Sequence, residues 1–84
     1  MSYHLRIEKK ASKTIESFPK HVIENILSAL EELKDNPRCH GSKKLSGRDG
    51  YRYRVGNYRI LYLIDDHHKE VVVYTILHRK EVYR

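Results

Sequence analysis

The chain lacks the sequence features that are typical of secreted and membrane proteins. Cys39 is the only cysteine among 84 residues, which excludes an internal disulfide and favours a reducing compartment. There is no tryptophan, and no apolar run approaches the length of a transmembrane helix. The first ten residues lack the apolar segment of a secretory signal. We therefore expect a soluble, cytoplasmic protein.

Acidic residues are also scarce relative to basic ones. Lysine and arginine number 17 against 11 aspartate and glutamate, which gives a formal net charge of +6. Most of the arginines lie in the second half of the chain, and the arginine fork matches phosphate geometry. Eighty-four residues are enough for one small domain, so residues 1–84 are expected to form a single core. The charge balance favours a polyanionic partner without identifying it.

The spacing of apolar residues predicts the order β-α-α-β-β-β. Alternation over residues 3–7 predicts a short strand, and two helical patterns follow it. Pro19 separates the two helices, and Pro37 ends the second one. The glycine-rich stretch 37–50 is expected to be a loop. Three further strands are predicted at residues 51–55, 58–64 and 71–78.

This order of elements predicts an α+β fold, with a helical hairpin packed on one face of a mainly antiparallel four-stranded sheet. Because side chains alternate along a strand, the two central strands have two different faces. The apolar face, expected under the helices, carries Tyr53, Val55, Tyr58, Ile60, Tyr62 and Ile64. Tyr74 is also assigned to the core. The opposite side, called the arginine face, carries Arg52, Arg54, Arg59, Leu61 and Leu63.

The sequence Gly56-Asn57 predicts a two-residue hairpin turn between the two central strands. In that register Arg54 lies directly opposite Arg59, and Arg52 is on the same face. Like charges directly opposite each other destabilise a sheet. These arginines are therefore candidates for binding an anion such as a phosphate backbone, although a solvated surface is the alternative interpretation.

Other candidates for contacts with a phosphate backbone lie before and after the last three predicted strands. His78 and Arg79 follow the last strand, Tyr83 is close to the C-terminus, and Lys43 and Lys44 precede the first arginine strand. The two histidines of the last turn have neither cysteine nor spaced carboxylates beside them, so no metal site is predicted. There is no glycine-rich phosphate loop, and we expect no cofactor.

The residues resemble the RelE/ParE superfamily of bacterial and archaeal toxins of toxin–antitoxin systems. The resemblance covers essentially the whole chain and rests on these segments: Asn36-Pro37, Gly41, Lys43-Lys44-Leu45, Gly47, Gly50–Arg59 and His78–Tyr83. The central hairpin is a specific signature of the superfamily and is less specific for the branch. RelE-like members are ribosome-dependent endoribonucleases that cut mRNA in the ribosomal A site, and ParE-like members inhibit DNA gyrase.

The resemblance to the RelE-like branch implies a catalytic set of Arg52, Arg54, Arg59, Arg79 and Tyr83. It implies attack of an mRNA 2′-hydroxyl on the adjacent phosphate, with Tyr83 as base and Arg59 on the scissile phosphate. Arg79 would bind phosphate or protonate the leaving group, and Arg52 and Arg54 would orient the substrate. His78 is an alternative base, because related branches use a histidine near the C-terminus.

Three functions remain open at the level of the sequence. The first is a ribosome-dependent mRNA endoribonuclease that inhibits translation, favoured by Arg79 and Tyr83. The others are a ParE-like gyrase inhibitor and a non-catalytic basic RNA-binding module. The resemblance also implies a cognate antitoxin that covers the helices, the arginine face or both. Leu61 and Leu63 need cover from such a partner, from a twist of the strands or from the 37–50 loop.

Overall fold

The computed structural model describes residues 2–78, which form two helices and a five-stranded sheet. The elements in chain order are β1 (His4–Ile7), α1 (Lys9–Glu16), α2 (Lys20–Asp35), β2 (Ser42–Lys44), β3 (Tyr51–Val55), β4 (Tyr58–Asp65) and β5 (Glu70–His78). The strand order is β1-β5-β4-β3-β2. Only the pairing of β1 with β5 is parallel. The predicted α+β class is confirmed, and the sheet has one strand more than expected.

The additional strand, β2, lies inside the segment that was predicted to be a loop. It is a three-residue strand at the sheet edge, paired antiparallel with β3. Its sequence, Ser-Lys-Lys, has no apolar alternation, so only pairing with β3 gives it strand geometry. The amide of Leu45 donates a hydrogen bond to the carbonyl of Gly50 at 2.9 Å, which closes a hairpin with residues 45–50 as its loop.

The prolines set the ends of α2 as the sequence predicts. Pro19 precedes the helix with a φ of −60° and an extended ψ, and it has no amide hydrogen with which to continue α1. Asn36 is extended, with φ −148° and ψ 87°, as expected for a residue before a proline. Neither helix in the described part of the chain has the length and apolar character required to cross a membrane.

Both helices pack on one face of the sheet and enclose the core. The buried core residues are Ala11, Ile15, Ile26, Ala29, Leu30, Leu33, Ile60, Tyr62, Val71, Val73 and Ile76. Tyr62 is fully buried, and its hydroxyl donates a hydrogen bond to the carbonyl of Pro37 at 2.7 Å. Burial raises the pKa of Tyr62. The core thus forms on the predicted apolar face of β3 and β4.

One end of the sheet is held by a polar cluster around Asp66, in the turn after β4. Arg38 donates two hydrogen bonds to this carboxylate, at 3.1 and 2.8 Å, and the hydroxyl of Tyr3 donates a third at 2.7 Å. Arg38 also donates to the hydroxyl of Tyr51 at 3.2 Å. The hydrogen bonds from Arg38 and Tyr3 lower the pKa of Asp66 to about 2. The cluster joins the N-terminus, the α2–β2 connection and the β4–β5 turn.

Candidate functional site

The hairpin between β3 and β4 has the predicted register. Val55 pairs with Tyr58 across the turn, and Arg54 pairs with Arg59. Gly56 has a φ of 58°, a left-handed conformation that suits a tight hairpin turn and favours glycine. The two arginines are therefore neighbours on the arginine face, on the side of the sheet away from the helices.

Arg59 is half-buried, and its guanidinium is incompletely partnered by the described residues. Its Nη1 atom is buried and makes no hydrogen bond within the described part of the chain. Leu77 of β5 lies on the other side of Arg59 and provides no polar group. A buried guanidinium nitrogen without an acceptor is unfavourable. Arg59 thus has a buried donor without an acceptor among residues 2–78, and a second cation lies beside it.

We call Arg59, Arg54 and Arg52 together the cationic group. Arg54 is exposed, and its Nε donates to the carbonyl of Gly56 at 3.1 Å. Arg52 is half-buried and pairs with Leu61. Within residues 2–78, none of these arginines forms an ion pair with a carboxylate. The described carboxylates of the arginine face, Asp65 and Glu70, lie at the opposite end of the sheet.

The two lysines of β2 point to different sides of the sheet. Lys43 pairs with Arg52 and therefore lies on the arginine face, whereas Lys44 pairs with Tyr51 and lies on the other side. Both side chains are exposed. The sheet brings Lys43 into the cationic group and does not bring Lys44 there.

His78 lies on the helix side of the sheet, away from the arginines. It pairs with Tyr58, and the two rings make an edge contact with centroids 5.2 Å apart. Tyr58 also contacts Phe18, which follows α1, at a ring-centroid distance of 4.6 Å. The remaining candidates, Arg79 and Tyr83, lie outside the described residues.

The two leucines of the arginine face differ in their cover. Leu61 is only 7% exposed, whereas Leu63 is 39% exposed. Leu45 lies near Leu63, and both border Gly50, where a Cβ atom would be 3.3 Å from Leu45 and 3.4 Å from Leu63. The 45–50 loop therefore covers Leu63 in part.

Tyr74 is the residue whose environment differs most from the expectation. The register between β4 and β5 shifts at Leu61 and Tyr62, which pair with Thr75 and Val73, so Tyr74 is an unpaired bulge residue. It is half-buried and does not belong to the core cluster, so its assignment to the core was wrong. Its hydroxyl accepts a hydrogen bond from Arg48 at 2.7 Å. Alternation alone does not reveal a bulge.

The arginine face carries hydrogen-bond donors of the kind that bind anions. Among residues 2–78, no group of three or more histidine, cysteine, aspartate or glutamate side chains is arranged to hold a metal ion. The cationic group contains the guanidinium groups of Arg54 and Arg59, which pair with each other. Arg52 lies two residues before Arg54 on β3, where it pairs with Lys43 of β2. Arginine and lysine bind phosphate oxygens through strong, charge-assisted hydrogen bonds.

Comparison with known proteins gives the family. Residues 5–83 match the model of the ParE toxin of the type II toxin–antitoxin system parDE. The chain belongs to the RelE/ParE superfamily of toxins. Among its relatives, Toxin RelG of Mycobacterium tuberculosis is 31% identical over 88 aligned positions, which span all of this chain and 99% of RelG.

Solved structures relate this toxin to the RelE branch. The toxin–antitoxin complex RelBE2 from Mycobacterium tuberculosis contains a chain with a TM-score of 0.85 and 27% identity, covering 94% of this chain and 100% of that one. The isolated E. coli RelE toxin superimposes with a TM-score of 0.81 and 29% identity, covering 98% of this chain and 92% of that one. The chain is a toxin of a RelBE-type toxin–antitoxin system.

Proposed function

We propose that this toxin is a ribosome-dependent mRNA endoribonuclease that inhibits translation. The observation that carries the proposal is the direct pairing of Arg59 with Arg54. The buried Nη1 donor of Arg59 also lacks a partner among the described residues. An RNA phosphate bound at this pair would relieve the repulsion between the two cations. Electrostatic stabilisation of the phosphoryl oxygens is then the main contribution of this face to catalysis.

The proposed reaction is an internal transfer at the RNA phosphate. The 2′-oxygen loses its proton to a base and attacks the adjacent phosphorus, and the bond from phosphorus to the 5′-oxygen breaks. The leaving oxygen gains a proton, so the products carry a 2′,3′-cyclic phosphate and a 5′-hydroxyl. Arg59 binds the scissile phosphate, while Arg52 and Arg54 orient the neighbouring RNA.

We assign the proton transfers to residues near the C-terminus. Tyr83 is the proposed base, and Arg79 is the proposed phosphate ligand or leaving-group acid. His78 is a weaker candidate, because its pairing with Tyr58 puts it on the side of the sheet opposite Arg59. A cationic surrounding favours the phenolate form of a tyrosine, which a base at this position requires.

We propose that a cognate antitoxin binds this toxin in the cytoplasm and blocks its access to ribosomes. The proposal is supported by the RelBE complexes from Mycobacterium tuberculosis and Pyrococcus horikoshii, whose toxin chains have TM-scores of 0.85 and 0.80 with this chain. The net charge of +6 favours an acidic antitoxin segment as the blocking element, and no described carboxylate forms an ion pair with Arg54 or Arg59.

Primer extension in a purified translation system tests the proposal. The purified toxin is added to an mRNA with and without ribosomes, and cleavage positions are mapped. The proposal predicts cuts at codon-defined positions only when ribosomes translate the message. A parallel gyrase supercoiling assay tests the ParE-like alternative, whose name the matching family model carries. Gyrase inhibition without mRNA cleavage would replace the proposed function, and salt-dependent RNA binding without either activity would indicate a binding module.

A further inference from the structure

We propose that Tyr74, extended by the guanidinium of Arg48, forms a stacking platform for a base of the RNA whose phosphate lies at Arg59. This inference rests on the proposed function and adds a substrate contact to it. Tyr74 and Arg48 would contact the bases of the substrate, whereas the arginines of the cationic group would bind its phosphate backbone. Single-stranded RNA is bound largely by stacking of unpaired bases on aromatic and arginine side chains.

The bulge places Tyr74 on the arginine face. Thr75 pairs with Leu61, a member of the arginine face, and Tyr74 is the extra residue beside it. Arg48, in the loop that packs against Leu63, reaches the Tyr74 hydroxyl at 2.7 Å. A tyrosine oriented toward the helices would be out of reach of this loop. The bulge thus orients a ring toward the face that carries the proposed phosphate site.

Tyr74 lies at a suitable distance from the arginine pair. Arg59 pairs with Leu77, and Tyr74 precedes Leu77 by three positions on β5. At a rise of about 3.3 Å per residue and a strand spacing of about 4.8 Å, the Cα atoms of Arg59 and Tyr74 are roughly 11 Å apart. A gap of this size is within the reach of two long side chains, so a single strand bound at Arg59 can place a base on Tyr74.

Within residues 2–78, Tyr74 is the one phenyl or phenol ring that the sheet strands present on the arginine face. The other tyrosines of β3 and β4 are on the helix side, namely Tyr51, Tyr53, Tyr58 and Tyr62. Tyr3 and Phe18 also pack against the core. A base that follows the bound phosphate along this face therefore meets Tyr74 before any other such ring in the described part of the chain.

Arg48 enlarges the platform. Its guanidinium carbon lies 5.7 Å from the centroid of the Tyr74 ring, and its side chain makes no ion pair with a carboxylate within residues 2–78. A guanidinium beside an aromatic ring provides a second flat surface and a positive charge for the sugar–phosphate backbone. The alternative is that Arg48 and Tyr74 only fasten the 45–50 loop to the sheet.

Equilibrium binding to two oligomers separates these possibilities. The ligands are a fluorescently labelled single-stranded RNA of mixed sequence and an abasic ribose-phosphate oligomer of the same length, both without ribosomes. For Tyr74→Leu we expect binding to the RNA to weaken about tenfold and binding to the abasic oligomer to stay within about twofold. Tyr74→Phe retains the ring and should recover most of the loss. Equal effects of Tyr74→Leu on both ligands, or no effect on either, would overturn the inference.

Two further variants separate a failure of the stacking platform from misfolding and from a failure of the proposed function. Since the chain has no tryptophan, Tyr74→Trp introduces a single indole on the platform, and its fluorescence should be quenched by the RNA and not by the abasic oligomer. Arg59→Ala should weaken binding of both oligomers alike. If Arg59→Ala changes neither affinity, the phosphate site fails. If Arg59→Ala behaves as expected and the tryptophan is not quenched, the platform alone fails.

Discussion

Arg54 and Arg59 pair directly across the β3–β4 hairpin, with no carboxylate beside them in the described part of the chain. The pairing is unfavourable by itself, because like charges meet and a buried donor of Arg59 has no acceptor among residues 2–78. A small domain can retain such a pair when a ligand supplies the missing negative charge. At Arg59, the side chain that the proposed function requires therefore lowers the stability of the free protein.

Replacing Arg59 with methionine should therefore stabilise the protein and inactivate it. Arg59→Met keeps a long apolar stem beside Leu77 and removes the buried guanidinium donor. We expect the free energy of unfolding to rise by about 1 kcal/mol and inhibition of translation to be lost. Urea unfolding and an in vitro translation assay measure the two effects. A destabilised Arg59→Met protein would show that the guanidinium is satisfied in the free toxin.

Lys43 and Lys44 are adjacent in sequence and form a matched pair of variants. Lys43 shares the face of Arg52 and Lys44 lies on the other side. Lys43→Ala should therefore weaken RNA binding more than Lys44→Ala, although both remove one exposed charge. The slope of log affinity against log salt should fall by about 0.7 for Lys43→Ala, the value for one phosphate contact on a single strand. Equal slopes for the two variants would contradict binding on the arginine face.

The Asp66 cluster should make stability depend on acid pH. The pKa of Asp66 is about 2 in the folded protein and roughly 3.9 in an unfolded chain. Since the folded pKa is the lower one, the ionised carboxylate stabilises the fold above about pH 4, and this contribution is lost as the pH falls toward 2. The difference in Tm between the parent protein and Asp66→Asn should therefore shrink over that range. A difference that stays constant would argue against the Arg38–Asp66 interaction as its source.

Two glycines of the 45–50 loop should differ in their tolerance of alanine. Gly50 has a φ of 115°, and a Cβ atom there would lie 3.0 Å from the carbonyl oxygen of Tyr62. Gly47 has a φ of 72° with open space around it. Gly50→Ala should cost about 1 to 3 kcal/mol of stability, and Gly47→Ala less, because it adds strain without a clash. Thermal unfolding of both variants measures the difference, and a larger loss for Gly47→Ala would refute this account of the loop.

Much of the site follows from the sequence because it depends on local rules. The Gly56-Asn57 turn fixes the hairpin register, and alternation then assigns Arg52, Arg54 and Arg59 to one face. Strand β2 has no apolar pattern of its own, so its formation, and with it the separation of Lys43 from Lys44, depends on pairing with β3. The bulge at Tyr74 likewise depends on how β4 and β5 twist together. Local patterns do not encode such tertiary effects.

The central claim is that the arginine face acts on mRNA phosphate, and primer extension with an Arg59→Ala toxin tests it most directly. Lys13→Ala is the control, since it removes one exposed positive charge from α1 on the other side of the sheet. With translating ribosomes present, we expect cleavage by Arg59→Ala to fall at least about 100-fold and cleavage by Lys13→Ala to match the parent toxin. Cleavage by Arg59→Ala at the rate of the parent would contradict the account.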